Sequence, residues 1–206
     1  MRKDQQKPDI RLSAGTGDYN IVAIGASTGG PGVIINILKD FPADFRLPIL
    51  LVIHMPDSSG NMFAEWLNQN CSLNVRTASE GDLLNRANGK VFVAPPGKHL
   101  IIKHNKIQFI DSPPVNFCRP SIDILFQSLA EDHGLRPIAT LLTGMGQDGA
   151  IGLKDIRNNG GYTICQDETT SIIYGMPRVA EKMGAASIVL PDYQIAGKII
   201  SLEKMK

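Results

Sequence analysis

Residues 21–30 read IVAIGASTGG. Ile21, Val22, Ala23 and Ile24 form a short apolar run with the look of a buried strand, and Pro31 suits the opening turn of a helix just downstream. Between them lies a loop of small residues with Ser27 at its apex. A serine on such a turn has its hydroxyl lifted clear of the backbone, and Gly25, Gly29 and Gly30 let other groups approach it. GASTG fits the G-x-S-x-G pattern of a nucleophilic serine. Taken alone, it fits a phosphate-cradling loop at a helix N-terminus almost as well.

The rest of the chain extends the same alternation. Further apolar runs occur at 48–53 (PILLVI), 91–94 (VFVA), 138–142 (IATLL), 162–165 (YTIC) and 187–190 (SIVL). Continuous apolar strands, rather than in-out alternation, predict a mostly parallel sheet covered on both faces. Helical patterns fall between them. One carries Ile34, Leu38 and Phe41 on a single face, and a second carries Met62, Phe63, Trp66 and Leu67, with Phe63 and Trp66 expected in the core. In a third, Ile122, Leu125, Phe126 and Leu129 follow Ser121 as cap. Later helices are expected over 148–159, 176–183 and 193–203, and residues 99–110 read as an antiparallel hairpin turning at His104-Asn105. The expected fold is α/β: a three-layer αβα sandwich with a mostly parallel, doubly wound sheet and an appended antiparallel hairpin. Residues 1–19, polar and aperiodic, read as a flexible lead or linker remnant before one folded domain over 20–203.

Bulk properties exclude several classes. The 206 residues are 43% apolar and carry a net charge of +1, which removes the electrostatic argument for nucleic acid as a main partner. No apolar run approaches the roughly 20 residues needed to span a bilayer. The N-terminus lacks the apolar core of a signal peptide, so a cytoplasmic location is expected. The three cysteines, Cys71, Cys118 and Cys165, include no CxxC pair. Neither a disulfide framework nor a zinc site is expected, and the three read as buried free thiols.

A serine hydroxyl needs a base to take its proton, and the chain has four histidines. His104 sits in a predicted hairpin turn among Lys103, Asn105 and Lys106, His133 ends a predicted helix before Gly134, and His99 opens a strand after Pro95-Pro96-Gly97. His54 directly follows PILLVI, at the carboxyl end of a buried strand. In open α/β sheets the ligand crevice lies at that edge, where Ser27 also sits. An orienting acid completes the arrangement. Asp148 leaves the sheet after IATLLT in a glycine-rich loop, where it also suits the cap of the helix over 148–159; Asp167, after YTIC, competes for the role. The chain order Ser27, His54, Asp148 differs from the Ser, acid, His order of the α/β-hydrolases, so analogy to lipases is refused. The phosphate alternative is weakened because no lysine follows the glycines and no GxGxxG is present.

The blocks IVAIGASTGGP, VIHMP, VFVAPPGKHL, RPSIDILF, LLTGMGQDGAIGL and GGYTICQDETTSIIYGMP, in this order, resemble those of the catalytic domain of the chemotaxis protein-glutamate methylesterases, the CheB family. The resemblance runs from residue 20 to about 190. It implies Ser27 as nucleophile, His54 as base and Asp148 as acid, with the Met145 N–H in the oxyanion hole and Thr28 lining the site. It implies hydrolysis of glutamyl γ-methyl esters on cytoplasmic chemoreceptor helices, deamidation of some receptor glutamines, and no metal or organic cofactor. Two-domain members carry a phosphorylated receiver domain, for which the stretch before residue 20 is too short; an excised domain or a free-standing member is expected. Arg119, in a lightly charged loop, is expected to meet the acidic surface around receptor methylation sites.

Overall fold

The computed structural model describes residues 18–56, 60–84, 87 and 89–204. Apart from Asp18 and Tyr19, the expected lead over 1–19 lies outside them.

Strand β1 (Ile21–Ala26) is buried at every position, and its side chains alternate between two cores. Val22 and Ile24 enter one, Ile21 and Ala23 the other, as the period of two along a strand requires. The strands β2 (Ile49–Ile53), β3 (Asn74–Thr77), β4 (Lys90–Val93), β7 (Pro137–Leu141), β8 (Tyr162–Gln166) and β9 (Ile188–Leu190) join β1 in one sheet ordered β3-β4-β2-β1-β7-β8-β9. Every pairing in it is parallel. Strands β5 (His99–Lys103) and β6 (Lys106–Ile110) form the separate antiparallel hairpin, turning through His104 and Asn105 in left-handed conformation.

The helices divide between the faces. α1 (Gly30–Lys39), α2 (Gly60–Asn70) and α6 (Asp192–Glu203) contribute Ile34, Leu38, Phe63, Leu67, Ile195 and Ile199 to one core. α3 (Ile122–Glu131), α4 (Ala150–Asn158) and α5 (Met176–Lys182) contribute Leu125, Phe126, Leu153, Ile156, Met176 and Ala180 to the other, with the hairpin packed on α3. The architecture is the expected sandwich. From β1 the chain builds outward through β2 to β3, returns to the other side of β1 as β7, and continues to β9. The crevice between β1 and β7 is therefore the topological switch point, where α/β sheets hold their ligands. Among the described residues no helix is long and apolar enough to cross a membrane.

Several details depart from expectation. β3 has no apolar run, because this edge strand alternates and buries only Val75 fully. Trp66 is 41% exposed and Met62 more so: α2 packs through Phe63, Ala64 and Leu67, and Trp66, roughly 60° round the helix from Phe63, lies at the margin and stacks on the Phe63 ring. Phe41 is buried but lies beyond the end of α1. Of the three cysteines, all free, only Cys165 is fully buried.

Candidate active site

Strand register alone brings the first two site residues together. Ala26 pairs with Ile53 at the end of β1 and β2, and the His54 N–H donates to the Ala26 carbonyl at 3.0 Å, so Ser27 and His54 leave the sheet side by side. On the other flank, the Ser27 N–H donates to the Thr143 carbonyl at 3.0 Å, tying the serine to the loop that follows β7. Gly29 then takes φ 82°, a left-handed turn open to glycine, and α1 begins.

Gly144 is placed hard against this turn. A Cβ there would lie 2.6 Å from the Ser27 Cβ and 2.6 Å from the Met176 Cε. Gly144→Ala is therefore expected to displace Ser27 and to reduce activity by about 100-fold or more, the cost of misplacing a reacting group by about an ångström, with folding largely retained. Circular dichroism beside a turnover assay checks this; full activity in the variant would contradict it. The next residue, Met145, is 77% exposed, and its N–H donates to no group among the described residues. Thr28 is also exposed, and its carbonyl accepts from the Thr143 hydroxyl at 3.0 Å.

Asp148 is buried, and its carboxylate is saturated. Oδ2 accepts from the Ile122 N–H at 2.7 Å and lies 2.8 Å from His54 Nε2. Oδ1 accepts from the Ser121 hydroxyl at 2.7 Å, and from the Asp123 N–H and Asn116 Nδ2 at 3.2 Å each. Asp148 does not cap the helix that follows it; α4 starts at Gly149 in left-handed conformation without a side-chain cap. It sits instead at the N-terminus of α3, whose free N–H groups and dipole favour a negative charge. Burial alone would raise its pKa, but the hydrogen bonds from His54, Ser121 and Ile122 hold it below the ordinary carboxylate value.

His54 follows the same balance. Burial pulls its pKa down, yet hydrogen bonding to Asp148 and to Cys118 outweighs burial and raises it from 6.5 to about 9. An ionised carboxylate only accepts, so the neutral ring keeps its proton on Nε2 and its lone pair on Nδ1. That lone pair faces Cys118 Sγ at 3.5 Å. Among the described residues no hydrogen bond joins Ser27 to His54. The His54–Asp148 half of the expected triad is formed, and the Ser27 half is not.

Four contributors escape sequence reading as site residues. Asn116 bridges Asp148 to Asp123, donating to the latter at 2.9 Å. Buried Asp123 also accepts from the Gly152 N–H at 2.8 Å; burial lifts its carboxyl to about 6 against that hydrogen bond, and the Asp148 charge adds to the rise. Ser121 is the cap that its position suggests (Ile124 N–H to Oγ, 3.4 Å), but its hydroxyl hydrogen goes to Asp148. Cys118, expected as a buried thiol, is only partly buried and lies against His54. An acid in the first turn of an otherwise apolar helix is the available signal for Asp123; Cys118 carries none.

Other candidates find structural employment. His99 is fully buried, with Nδ1 accepting from the Ser121 N–H at 3.1 Å and Nε2 lying 3.2 Å from the Pro113 carbonyl. Asp167 pins its own loop through Thr169 and Thr170. Arg119 donates to Asp111 at 2.9 Å and to the Ser112 carbonyl, so its guanidinium is engaged within its own loop. One cleft, lined by Asn20, Ile21 and Pro48, opens at the amino ends of β1 and β2, and a second lies between the hairpin and α3; neither is lined by Ser27, His54 or Asp148.

Comparison with known proteins identifies the family. The chain is 44% identical over 186 residues to a protein-glutamate methylesterase/protein-glutamine glutaminase of Burkholderia orbicola, covering 90% of this chain and 55% of that protein. It is 41% identical over 204 residues to the protein of that name from Trichodesmium erythraeum, covering 97% and 57%. The chain thus spans just over half the length of these curated relatives. The crystal structure of the Thermotoga maritima CheB methylesterase catalytic domain superposes with a TM-score of 0.84 at 35% identity, covering 90% of this chain and 99% of that one. With the CheB methylesterase family model matching residues 22–199, the chain belongs to that family.

Proposed function

We propose that this chain hydrolyses γ-methyl esters of glutamate side chains displayed on a protein, with Ser27 as nucleophile, His54 as base and Asp148 as orienting acid. The observation that carries this reading is the 2.8 Å contact of His54 Nε2 with the buried Asp148 carboxylate, which leaves Nδ1 as the basic nitrogen of the ring. The names of the relatives supply the substrate class, and the same acyl chemistry accounts for glutamine deamidation.

As substrate enters, Ser27 Oγ takes the place of Cys118 Sγ at His54 Nδ1. Oγ then attacks the ester carbonyl carbon while Nδ1 accepts its proton. The N–H groups of Met145 and Thr28 receive the developing oxyanion; one such donor is typically worth about 2.7–4 kcal/mol. Collapse breaks the acyl–oxygen bond, and the imidazolium returns its proton to the departing methoxide, giving methanol. Water, deprotonated by Nδ1, then attacks the acyl-enzyme, releasing glutamate and restoring Ser27. Residues 20–203 form the catalytic unit, and the methylated cytoplasmic helices of chemoreceptors are the proposed substrates. The open site, rimmed by exposed Phe117, Met145 and Ile172, suits a side chain carried on a macromolecular surface. For Arg119 to meet an acidic substrate it must first release Asp111. Control by a receiver domain is not assigned to these residues.

A fluorophosphonate probe tests the assignment. Covalent labelling is expected at Ser27, lost in Ser27→Ala and strongly reduced in His54→Ala. Because the base must be neutral and its pKa is about 9, labelling should accelerate with rising pH until about that value. Labelling of wild type at another residue, or a rate already flat above the ordinary imidazole value of about 6.5, would contradict these roles. Methanol release from methylated receptor fragments then tests the substrate.

A further inference from the structure

We propose that His54 Nδ1 and Cys118 Sγ form a two-point site for a soft divalent cation, Zn2+ by class, whose binding switches the enzyme off. Inhibition, though not binding, rests on the esterase reading.

Each atom's remaining bonding capacity decides its part. Nε2 of His54 is engaged by Asp148, so Nδ1 is the nitrogen free to ligate. A carboxylate holding the far side of a ligating imidazole is the usual support of a zinc site, because it fixes the tautomer and raises the basicity of the ring. The three groups His54, Cys118 and Asp148 bring their ligand atoms within 4.8 Å of one another, but the Asp148 oxygens are already saturated by the hydrogen bonds that anchor α3. Asp148 is therefore the supporting group, and the ligands are nitrogen and sulfur.

The separation fits. Zinc binds nitrogen at about 2.0–2.1 Å and thiolate sulfur at about 2.3 Å, so a tetrahedral angle places the two donors about 3.5 Å apart. Nδ1 and Sγ are 3.5 Å apart. The cysteine is also held in place. Val115 and Cys118 exchange backbone hydrogen bonds of 3.1 and 2.9 Å, and Asn116 and Phe117 between them are left-handed. The Asn116 side chain is fixed by Asp123 and Asp148. Neither donor is fully buried, so a hydrated ion has access. Binding displaces the thiol proton and, where the ring is protonated, the proton on Nδ1 as well, both leaving to solvent, and the metal occupies the lone pair that must receive the serine proton; water fills the remaining positions.

The test uses the full chain freed of metal by chelation and titrated with Co2+, which reports sulfur ligation through a thiolate-to-metal charge-transfer band. The band is expected to saturate at one ion per chain, to yield to Zn2+, to vanish in Cys118→Ser and Cys118→Ala, and to persist in Cys71→Ser. Cys165, buried with its thiol raised to about 12, stays protonated. Zn2+ is expected to inhibit wild type reversibly. Relative to each protein's own metal-free rate, Cys118→Ser should need about tenfold more Zn2+ or greater, the scale on which metal-site groups act. Absence of the band in folded wild type, or its survival without Cys118, overturns the site. A band without inhibition of an active enzyme overturns the switch. A band in a protein that releases no methanol keeps the site and counts against the esterase reading instead.

Discussion

Ser27→Ala is expected to lower the methanol-release rate by on the order of 10⁴- to 10⁶-fold while leaving the melting temperature nearly unchanged. The two halves have separate causes. In the proposed mechanism the hydroxyl forms the acyl bond, so its loss would remove the covalent route and leave whatever the N–H donors and binding provide. Its structural contribution is small: Ser27 is partly exposed, and the hydrogen bonds that tie it in place, from its N–H to Thr143 and from the Gly30 N–H to its carbonyl, are backbone bonds that alanine retains. Because the proposed nucleophile and base would act as one unit, Ser27→Ala combined with His54→Ala should lose little more than either alone. Multiplying losses in the double variant, measured by kcat, would mean that the two residues work independently and would end the triad reading.

Asp148 predicts the opposite separation, with large effects on both rate and stability. Asp148→Ala removes the acceptor of the Ile122 and Asp123 N–H groups, of the Ser121 hydroxyl and of the Asn116 amide, as well as the partner of His54. Buried donors without partners cost about 1–3 kcal/mol each, so a loss of roughly 3 kcal/mol or more is expected in urea unfolding. Asp148→Asn keeps the shape, but turns an NH2 group either towards the N–H donors of α3 or towards His54. The second orientation favours the imidazole tautomer with its proton on Nδ1, which cannot accept from serine, and about 10⁴-fold in kcat is expected. The acid limb of the remaining activity should fall from about 9 towards the ordinary imidazole value, since the Asp148 hydrogen bond is the main influence holding it up. Asp148→Asn with wild-type kcat and an unmoved limb would exclude the acid role.

The contrast between these two residues also marks what could be read from the chain without its structure. Ile21–Ile24 and the other apolar runs are legible because a parallel strand covered on both faces has few polar positions. Asn74–Thr77 is not, since an edge strand half open to solvent needs one buried residue and can otherwise be polar. Ser27 and His54 can be paired from sequence because each ends a strand and register does the rest. Asp148 is reachable by the same edge argument, but its tie to α3 is not: the hydrogen bonds to Ile122 and Asp123 close over a span of about 25 residues, and no local pattern records them. Trp66 misleads because helical spacing states which residues share a side, whereas the width of the buried stripe is set by the sheet beneath. Cys118 is invisible for a related reason. Its chemistry depends on a contact with His54, 64 residues away in sequence, made through a short turn with no motif.

The anchoring of α3 on the Asp148 carboxylate bears on how a chain of this family can lose its activity and survive. A descendant retained only to bind partners has no use for acyl transfer, and drift would be free to remove the nucleophile at little cost to folding. It would not be free to remove the acid, on which the start of a core helix hangs. Pseudoenzymes of this lineage should therefore carry an altered serine beside an intact aspartate, and a surviving aspartate is on its own no sign that catalysis continues.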